Sequence, residues 1–360
     1  MVNVFLTGAT GFLGENLLAQ LLERGHKVWA LYRSEPKRIK TDQFLSGLGL
    51  NPGDSQLKWL KGDVLEVHDR WSKWEQELPS LKKVDHVLHC AGSLRFRLNS
   101  AGEPRRTNLE GAKALWQLTR QRAMQVHLVS TAYVCGLTPG GVVYEVNHPR
   151  GNFANAYEES KWQAEEVWAH QATIVRPGVI VGDSRSGRCT SFTGWYIIAK
   201  GGYLMDQFLN FAPAYDRQDL QIEVPMDSKA TLNLVPVDYV SQATVQLIEN
   251  PINHNRIFHL THPHPPTHQW SQEVICRRFN LGGIRFTGLG ASLSEPHDPL
   301  KRMIWSQTQK MHSYFSNDPF FDRTNTNQAL PYLKVPIIDE SFINRLLDYA
   351  IAQDWGQSWR

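Results

Sequence analysis

Two residues of the sequence, Tyr157 and Lys161, could together deliver a proton to a carbonyl oxygen. They stand four positions apart in Tyr157-Glu-Glu-Ser-Lys161, a segment that predicts the start of a helix. Side chains at this spacing share one helical face, one turn apart. Because an ammonium group beside a phenol favours the phenolate, we expect Lys161 to lower the pKa of Tyr157 towards working pH. Thr131, at the end of a predicted strand, could hold the same oxygen, so the three residues predict acid catalysis of carbonyl reduction.

The spacing of tyrosine and lysine occurs a second time, in Tyr196-Ile-Ile-Ala-Lys200. The position in the chain separates the two copies. Tyr157 begins the helix that follows a strand ending in hydroxyl residues, whereas Tyr196 lies in an apolar segment. We interpret Tyr196 as a packing residue or as part of the lining of a substrate site.

Three glycines near the start of the chain, Gly8, Gly11 and Gly14, could hold a cofactor next to these groups. They follow a short apolar run at residues 4–6, which predicts a buried strand, and they precede a helical pattern of apolar residues. Gly8 would allow a tight turn, Gly11 a close approach of the backbone to a pyrophosphate, and Gly14 close packing of helix on strand. With free amide groups at the helix start, the pattern predicts a dinucleotide-binding turn.

The end of the second predicted strand indicates which dinucleotide is bound. A free ribose 2′-hydroxyl is usually held there by a carboxylate. This sequence instead has Arg33, followed by Lys37 and Arg38, with no carboxylate expected to repel a phosphate. A guanidinium can stack on adenine and pair with a 2′-phosphate. The sequence therefore favours NADP(H) over NAD(H), the alternative being a solvated basic loop. Asp63 is expected to contact the adenine amino group, the alternative being a turn residue, since Asp after Gly is common in turns.

Short apolar runs alternate with amphipathic helices and predict an α/β fold, a doubly wound parallel-sheet Rossmann fold. Because ligands of such sheets lie outside the carboxyl ends of the strands, Ser130 and Thr131 should face the site. The last predicted helix covers residues 340–352. The predicted strands lie at residues 4–6, 28–33, 57–60, 85–92 with the glycine exit, 126–134, 173–181 and 256–261.

A smaller C-terminal substrate-binding region is expected beside the cofactor domain. The NADP-binding Rossmann domain should comprise residues 1–185 and be completed by about 231–262, while residues 186–230 and 263–360 form the smaller capping region. Within the latter, residues 263–335 are proline-rich and predicted to be irregular. Arg95, Phe96 and Arg97 in the first domain are candidate substrate contacts.

Composition excludes several classes of function. Of the 360 residues, 38 are Lys or Arg and 35 are Asp or Glu, so the charge of +3 gives no case for nucleic acid. There is no apolar stretch long enough for a membrane span and no secretory leader pattern, and the four scattered cysteines fit a reducing cytoplasm. His259, His262, His264 and His268 are interrupted by prolines and are interpreted as a surface loop, so no metal site is predicted.

Five motifs taken together resemble an extended short-chain dehydrogenase/reductase. They are TGATGFLG, Asn108 in NLEGAK, the VSTAYV strand, YEESK and VRPGVIVG. The resemblance runs from residue 2 to about 262. The finer pattern, with GATGFLG, STAYV, VRPGVIVGDSRSG, LNLVPVDYV and FHLTHPHPPT, resembles the thioester-reductase branch. This branch includes the reductase domains of carboxylic acid reductases and peptide synthetases and, more distantly, fatty acyl-CoA reductases of the male-sterility type.

This resemblance implies hydride transfer from NADPH to an acyl thioester, bound to coenzyme A or to a carrier. Thr131 would stabilise the hemithioacetal anion, Tyr157 would protonate it, and thiol loss would give an aldehyde, which a second hydride could convert to an alcohol. No adenylation or carrier domain precedes the motifs, so any carrier is expected to act in trans. The expected partners are thus a small-molecule or carrier-bound acyl substrate and, in an assembled form, a second copy in a homodimer.

The catalytic residues implied are Thr131, Tyr157 and Lys161. The implied cofactor contacts are Gly8, Thr10, Gly11, Phe12, Leu13, Gly14, Arg33, Arg38, Asp63, Val64, Ala91, Gly92, Asn108, Tyr157, Lys161, Pro177, Gly178 and Val179.

Two other functions are compatible with the motifs. An NADP-dependent ketone or sugar-nucleotide reductase or epimerase would use the same three catalytic residues. A redox-sensing or scaffolding Rossmann protein usually loses the tyrosine or the lysine, and both are present here.

Overall fold

The computed structural model describes residues 1–51, 53, 55–168, 171–288, 295–308, 314 and 319–359. The strands in chain order are β1 Asn3–Thr7, β2 Lys27–Tyr32, β3 Leu57–Lys61, β4 His86–His89, β5 Gln125–Val129, β6 Val142–Val143, β7 Ala172–Pro177, β8 Val179–Val181, β9 Ile222–Val224, β10 Leu234–Pro236, β11 Ile257–Leu260, β12 Ile284–Phe286 and β13 Phe320–Phe321.

The first helix begins directly after the glycine turn, and the last ends near the C-terminus of the chain. They are α1 Phe12–Glu23, α2 Glu35–Gly47, α3 Val67–Glu77, α4 Gly111–Thr119, α5 Ala156–Glu166, α6 Trp195–Leu209, α7 Val237–Glu249, α8 His268–Phe279, α9 Pro299–Thr308, α10 Thr324–Ala329 and α11 Glu340–Ala352. Among the described residues, no helix combines the length and the apolar character that crossing a membrane requires.

Seven strands form one parallel sheet in the order β11-β7-β5-β4-β1-β2-β3. The chain runs outward from β1 in one direction through β2 and β3 and in the other through β4, β5, β7 and β11. This confirms the predicted doubly wound α/β fold. The order reverses between β1 and β4, where Phe5 pairs with Val87, and a crevice for a ligand opens at the carboxyl ends of such a strand pair.

Each face of the sheet carries its own apolar core. Val4, Leu6 and Leu88 point to the side covered by α1 and α7, whereas Phe5 and Val87 point to the side covered by α3 and α4. Because both faces are buried, the strands read as continuous apolar runs rather than as alternating patterns.

A third apolar core lies beyond the carboxyl edge of the sheet. It joins α6, α8 and α11 with β9, and Trp195, Tyr196 and Phe342 are among its most buried side chains. Much of it comes from the two segments in which sequence periodicity was weakest. Residues of the later segment also reach the main sheet, because β13 pairs with β6 and α10 contacts β11.

Four sequence expectations are wrong in detail. The histidines interpreted as a surface loop are not all in one, since His259 lies buried in β11 and the buried His268 is the first residue of α8. The strand predicted at 126–134 ends at Val129, and residues 132–135 form a 3-10 turn that Thr131 caps by accepting from the Tyr133 amide. Residues 263–335 contain α8, which begins just after the prolines, with Thr267 accepting from the Trp270 amide. The basic residues Lys37 and Arg38, which follow Arg33, lie on α2 rather than in a loop.

Candidate active site

The glycine turn brings β1, α1 and the exit of β4 into contact. Gly8 has φ +74°, and a Cβ there would lie 2.6 Å from the Ala91 nitrogen. A Cβ on Gly14 would lie 1.9 Å from the Gly8 carbonyl oxygen, so a side chain would force α1 away from β1. Gly11 is the N-cap of α1 and has no side chain to cap the first amides. This cradle fits a pyrophosphate.

One large cavity of about 2200 Å³ extends from the glycine turn past the end of β5 and the start of α5 to α6. It brings together most of the residues predicted for cofactor binding and catalysis. Those that line it are Gly8, Thr10, Gly11, Phe12, Leu13, Gly14, Gly92, Thr131, Tyr157, Lys161, Pro177, Gly178 and Val179. Arg33, Arg38, Asp63, Val64, Ala91 and Asn108 are not part of its lining.

The predicted catalytic residues meet at the carboxyl end of β5. The phenol of Tyr157 is hydrogen-bonded to Thr131, and Lys161 donates from Nζ to the Val129 carbonyl oxygen at 2.5 Å. Ser130 lines the cavity beside them, as predicted, and its buried Oγ has no partner among the described residues. A carbonyl oxygen placed at this wall would find two hydroxyl donors.

The electrostatics of Tyr157 differ from the sequence expectation. Burial raises the pKa of Tyr157, and the hydrogen bond with Thr131 offsets part of that rise. Burial also lowers the pKa of Lys161 to about 8. The expectation that Lys161 holds the Tyr157 pKa low is therefore wrong for this structure, because desolvation dominates and the ammonium group is bound to a backbone carbonyl.

Asn108 supports the site from behind its wall. It lies in a π-helical stretch at Arg106–Glu110 and is buried. Its Oδ1 accepts from the Ser93 amide at 2.7 Å, while Nδ2 donates to the Ser93 carbonyl at 3.1 Å and to Ser160 Oγ at 2.8 Å. The amide thus ties the β4 exit to α5. These contacts suit a role for Asn108 in positioning Gly92 and Lys161. The two residues are close together, because a Cβ on Gly92 would lie 3.9 Å from Lys161 Nζ.

The basic residues after β2 have carboxylate partners that the sequence did not reveal. Arg33 lies 3.2 Å from Asp63, and Arg38 contacts both Glu35 and Asp42 at 2.5 Å. The expectation that no carboxylate stands near these groups is wrong, since sheet pairing brings the β3 exit beside the β2 exit. Lys37 and Lys40 of α2, by contrast, line the cavity.

An aromatic wall opposite the sheet completes the cavity, and only part of it was predicted. Phe96, a predicted substrate contact, packs against Tyr157 and Tyr314. Tyr314 donates to Glu158 at 2.6 Å and accepts from Asn155 at 2.7 Å. Burial raises the pKa of Glu158. Tyr314 is far from the motifs in sequence, and no local signal marks it.

The second tyrosine–lysine pair does not face this cavity. The Tyr196 hydroxyl accepts from the Gly182 amide at 3.0 Å, and its ring is buried between Phe192 and Trp195. Trp195, Ile197 and Ile198 of the same helix do line the cavity. Tyr196 packs into the third core, which fits the packing interpretation.

Comparison with known proteins places the chain in a family. The family described as "Male sterility protein", an NAD-binding type, matches residues 6–244, well over half of the chain. The chain therefore belongs to this family of NAD-binding oxidoreductases, and its fold is that of the extended short-chain dehydrogenases/reductases.

Two curated relatives are large proteins. The non-canonical nonribosomal peptide synthetase hkm10 of Aspergillus hancockii is 24% identical over 388 residues, 96% of this chain and 36% of the relative. The L-2-aminoadipate reductase of Schizosaccharomyces pombe is 25% identical over 374 residues, 91% of this chain and 24% of the relative. The chain thus spans about a third of the first and a quarter of the second.

Solved structures show the same fold. The terminal R domain from the myxalamid PKS-NRPS biosynthetic pathway has a TM-score of 0.77 and 24% identity, covering 99% of this chain and 92% of that one. UDP-glucose-4-epimerase from Stenotrophomonas maltophila, with bound NAD, has a TM-score of 0.67 and 15% identity, covering 99% of each chain.

Proposed function

We propose that the protein is an NADPH-dependent reductase that converts an acyl thioester, bound to coenzyme A or to a carrier protein, into an aldehyde or alcohol. The observation that carries the proposal is the single cavity that joins the glycine turn to Thr131, Tyr157 and Lys161 and continues along α6. The cofactor's phosphates would lie on the glycine turn, with the catalytic hydroxyls at the other end of the same space.

The bound nicotinamide would supply the hydride to the carbonyl carbon. The protein's own residues handle the oxygen and its proton. Thr131 Oγ1 and Tyr157 Oη hydrogen-bond the oxygen as it gains negative charge, and Tyr157 then transfers its proton to give a neutral hemithioacetal. When the carbon–sulfur bond breaks, the hydroxyl proton leaves with the sulfur as a free thiol and the aldehyde remains.

Charge near the adenine end supports NADPH as the reductant. The Arg33 side chain is 64% exposed and Lys37, four residues further along the chain, lines the cavity, so both can approach a 2′-phosphate. The pair between Arg33 and Asp63 is exposed and therefore weak, and a phosphate dianion can compete for the guanidinium. Arg38 is already held by two carboxylates, and we assign it to the support of α2.

An apolar pocket favours an acyl group over a sugar. It has a volume of about 70 Å³, lies between α6 and α8, and shares Trp195, Ile197 and Ile198 with the main cavity. Leu232 and His268 are also shared, and Ser271 and Gln272 are the other polar side chains that line the pocket. The remaining apolar lining is Met205, Ile222, Val224, Met226, Ile275, Cys276, Ile284 and Phe286. Such walls offer a sugar ring few hydrogen bonds. We propose that residues 186–230 and 263–360 supply most of the substrate-binding region around this pocket.

The principal alternative is a sugar-nucleotide reductase or epimerase, which the shared fold of NAD-bound epimerases supports. All four cysteines are free thiols, which supports the proposed cytoplasmic location. A homodimer stays a prediction.

Purified protein incubated with NADPH and acyl-CoA or acyl-pantetheine thioesters tests the proposal. We expect NADPH oxidation, stoichiometric release of a free thiol, and an aldehyde or alcohol detected by mass spectrometry. Turnover of a UDP-sugar with no reaction of any thioester would overturn it in favour of the alternative.

A further inference from the structure

Three histidines distant in sequence form a compact cluster on the main sheet. His86 begins β4, His127 lies in β5, and His254 precedes β11. The ring centroids are 5.2 Å apart for His86 and His127, 5.6 Å for His86 and His254, and 5.1 Å for His127 and His254. One ring nitrogen of each lies within 4.8 Å of the others. One nitrogen of each imidazole therefore lies near a common point.

The outer contacts of the rings determine which nitrogens face that point. His254 Nε2 lies 3.0 Å from the Ile248 carbonyl oxygen and must donate to it, so Nδ1 keeps its lone pair. His86 Nε2 lies 3.8 Å from the Asp85 carboxylate, which leaves Nδ1 on the inner side. Metal-binding histidines usually carry such a carbonyl or carboxylate on the second nitrogen.

The third ring, that of His127, supplies the remaining nitrogen on the inner side of the cluster. His127 Nε2 is hydrogen-bonded to His86 Nδ1 at 2.9 Å, and the buried Nδ1 on the other side of the His127 ring has no hydrogen-bond partner among the described residues. His127 is 2% exposed. A metal ion at this point would replace the proton that the two inner nitrogens share, and that proton would move to an outer ring nitrogen.

We propose that His86 Nδ1, His127 Nε2 and His254 Nδ1 bind one divalent transition-metal ion of the zinc type, with a water molecule as the fourth ligand. Zinc–nitrogen bonds of about 2.0–2.1 Å in a tetrahedral site set ligand nitrogens roughly 3.3 Å apart. To reach that value the 2.9 Å separation between His86 and His127 would widen, and the other nitrogens, which lie within 4.8 Å, would close around the ion. The partial exposure of His86 and His254 leaves solvent access for the fourth position.

The chemistry of the pocket suits this occupant. Imidazole is a preferred ligand of zinc, nickel and copper. The ion would clamp three strands towards their N-terminal ends, whereas the catalytic groups follow the carboxyl ends, so the site is structural and separate from the reductase chemistry.

Cobalt(II) titration of the untagged, metal-stripped 360-residue chain tests the site, because a tetrahedral Co²⁺ site has an intense visible spectrum. We expect one equivalent to bind, Zn²⁺ to displace it, and Zn²⁺ to raise the thermal midpoint. His86→Gln and His254→Gln should each weaken Co²⁺ binding by more than about 100-fold, since changes in outer contacts alone cost about 10–100-fold.

His264→Gln is the matched control, because His264 is an exposed histidine outside the cluster and its loss should leave binding unchanged. The partly exposed His86 and His254 are chosen over His127 so that the variants fold, which their thermal midpoints in chelator verify. Failure of the wild-type chain to bind Co²⁺ stoichiometrically would overturn the proposal. Unchanged Co²⁺ binding by both cluster variants would do the same.

Discussion

Lys161 donates from Nζ to the main-chain carbonyl of Val129, the last residue of β5, at a distance of 2.5 Å. This bond fixes α5 to the carboxyl end of β5 and so sets the distance between the Tyr157 phenol and Thr131. It also leaves a lysine buried at 5% exposure with no carboxylate hydrogen-bonded to it among the described residues. The position costs folding free energy, which is expected where a group is held for function rather than for stability.

That cost predicts a pH-dependent stability difference. The folded-state pKa of Lys161 is about 8, below its ordinary value of 10.5. The unfolded chain therefore binds more protons between these values, and the penalty is full below pH 8 and disappears as the pH rises towards 10.5. Lys161→Met should raise the free energy of unfolding at pH 7 by roughly 1–3 kcal/mol, while abolishing reduction.

Urea unfolding of wild type and Lys161→Met across this pH range is the measurement. The difference between the two proteins should shrink as the pH increases above 8. A difference that is constant with pH would mean that Lys161 is not buried as a charge.

Replacement of Tyr157 tests the proposed acid. Tyr157→Phe should lower kcat for thioester reduction by about 10²–10⁴-fold, because the proton donor to the oxygen is lost. NADPH binding, followed by fluorescence titration, should stay within a few-fold of wild type. Tyr196→Phe is the matched control, since Tyr196 has the same spacing to a lysine but bonds Gly182, and it should retain activity. Comparable activity of Tyr157→Phe and wild type would rule out this role.

Arg33 and Arg38 are predicted to differ in cofactor recognition. Arg33→Ala should weaken NADPH binding by about tenfold or more and NADH binding little, because a charged hydrogen bond to phosphate contributes about 1.5–3 kcal/mol. Arg38 is engaged with Glu35 and Asp42, so Arg38→Ala should affect both cofactors alike. Calorimetric titration of each variant with both cofactors distinguishes the two residues. Equal losses for NADPH and NADH in Arg33→Ala would contradict the assignment.

Replacement of glycine by alanine should have opposite effects on stability at Gly14, in the glycine turn, and at Gly47, at the end of α2. Gly14→Ala places a methyl group 1.9 Å from the Gly8 carbonyl oxygen, so it should destabilise the fold by roughly 2 kcal/mol or more and abolish NADPH binding. Gly47→Ala, at the end of α2, meets no atom within 4 Å and should leave stability unchanged or raise it by about 0.5–1 kcal/mol. Thermal unfolding and cofactor titration measure both. Normal NADPH binding by Gly14→Ala would contradict this prediction, because it would mean that α1 can move away from β1 without loss of the cofactor site.

The parts predictable from sequence are those in which neighbouring residues carry the signal. The glycine turn, the spacing of Tyr157 and Lys161, and the final helix α11 at Glu340–Ala352 all follow from local periodicity, and the structure confirms these elements. The positions of Ser130 and Thr131 follow from one topological rule about the carboxyl ends of parallel strands.

The remainder depends on contacts between distant segments. Asp63 meets Arg33 only because β2 and β3 pair, with Tyr32 opposite Lys61. The histidines of the cluster come from three strands or their flanks, whereas the sequence drew attention to the prolines and histidines at 259–268. Prolines there indicated irregular chain, yet Thr267 caps α8 immediately after them. The cap could have been recognised from its Thr at the end of the proline run.

The continuity of the cavity has a consequence for inhibition. Since the phosphate cradle and the apolar pocket belong to adjoining spaces, a single molecule that links an adenine nucleotide to an acyl chain could occupy both ends. Once one end is bound, the other is present at high effective concentration, so such a bisubstrate compound should bind more tightly than either fragment. Its optimal linker length would report the span between the two compartments.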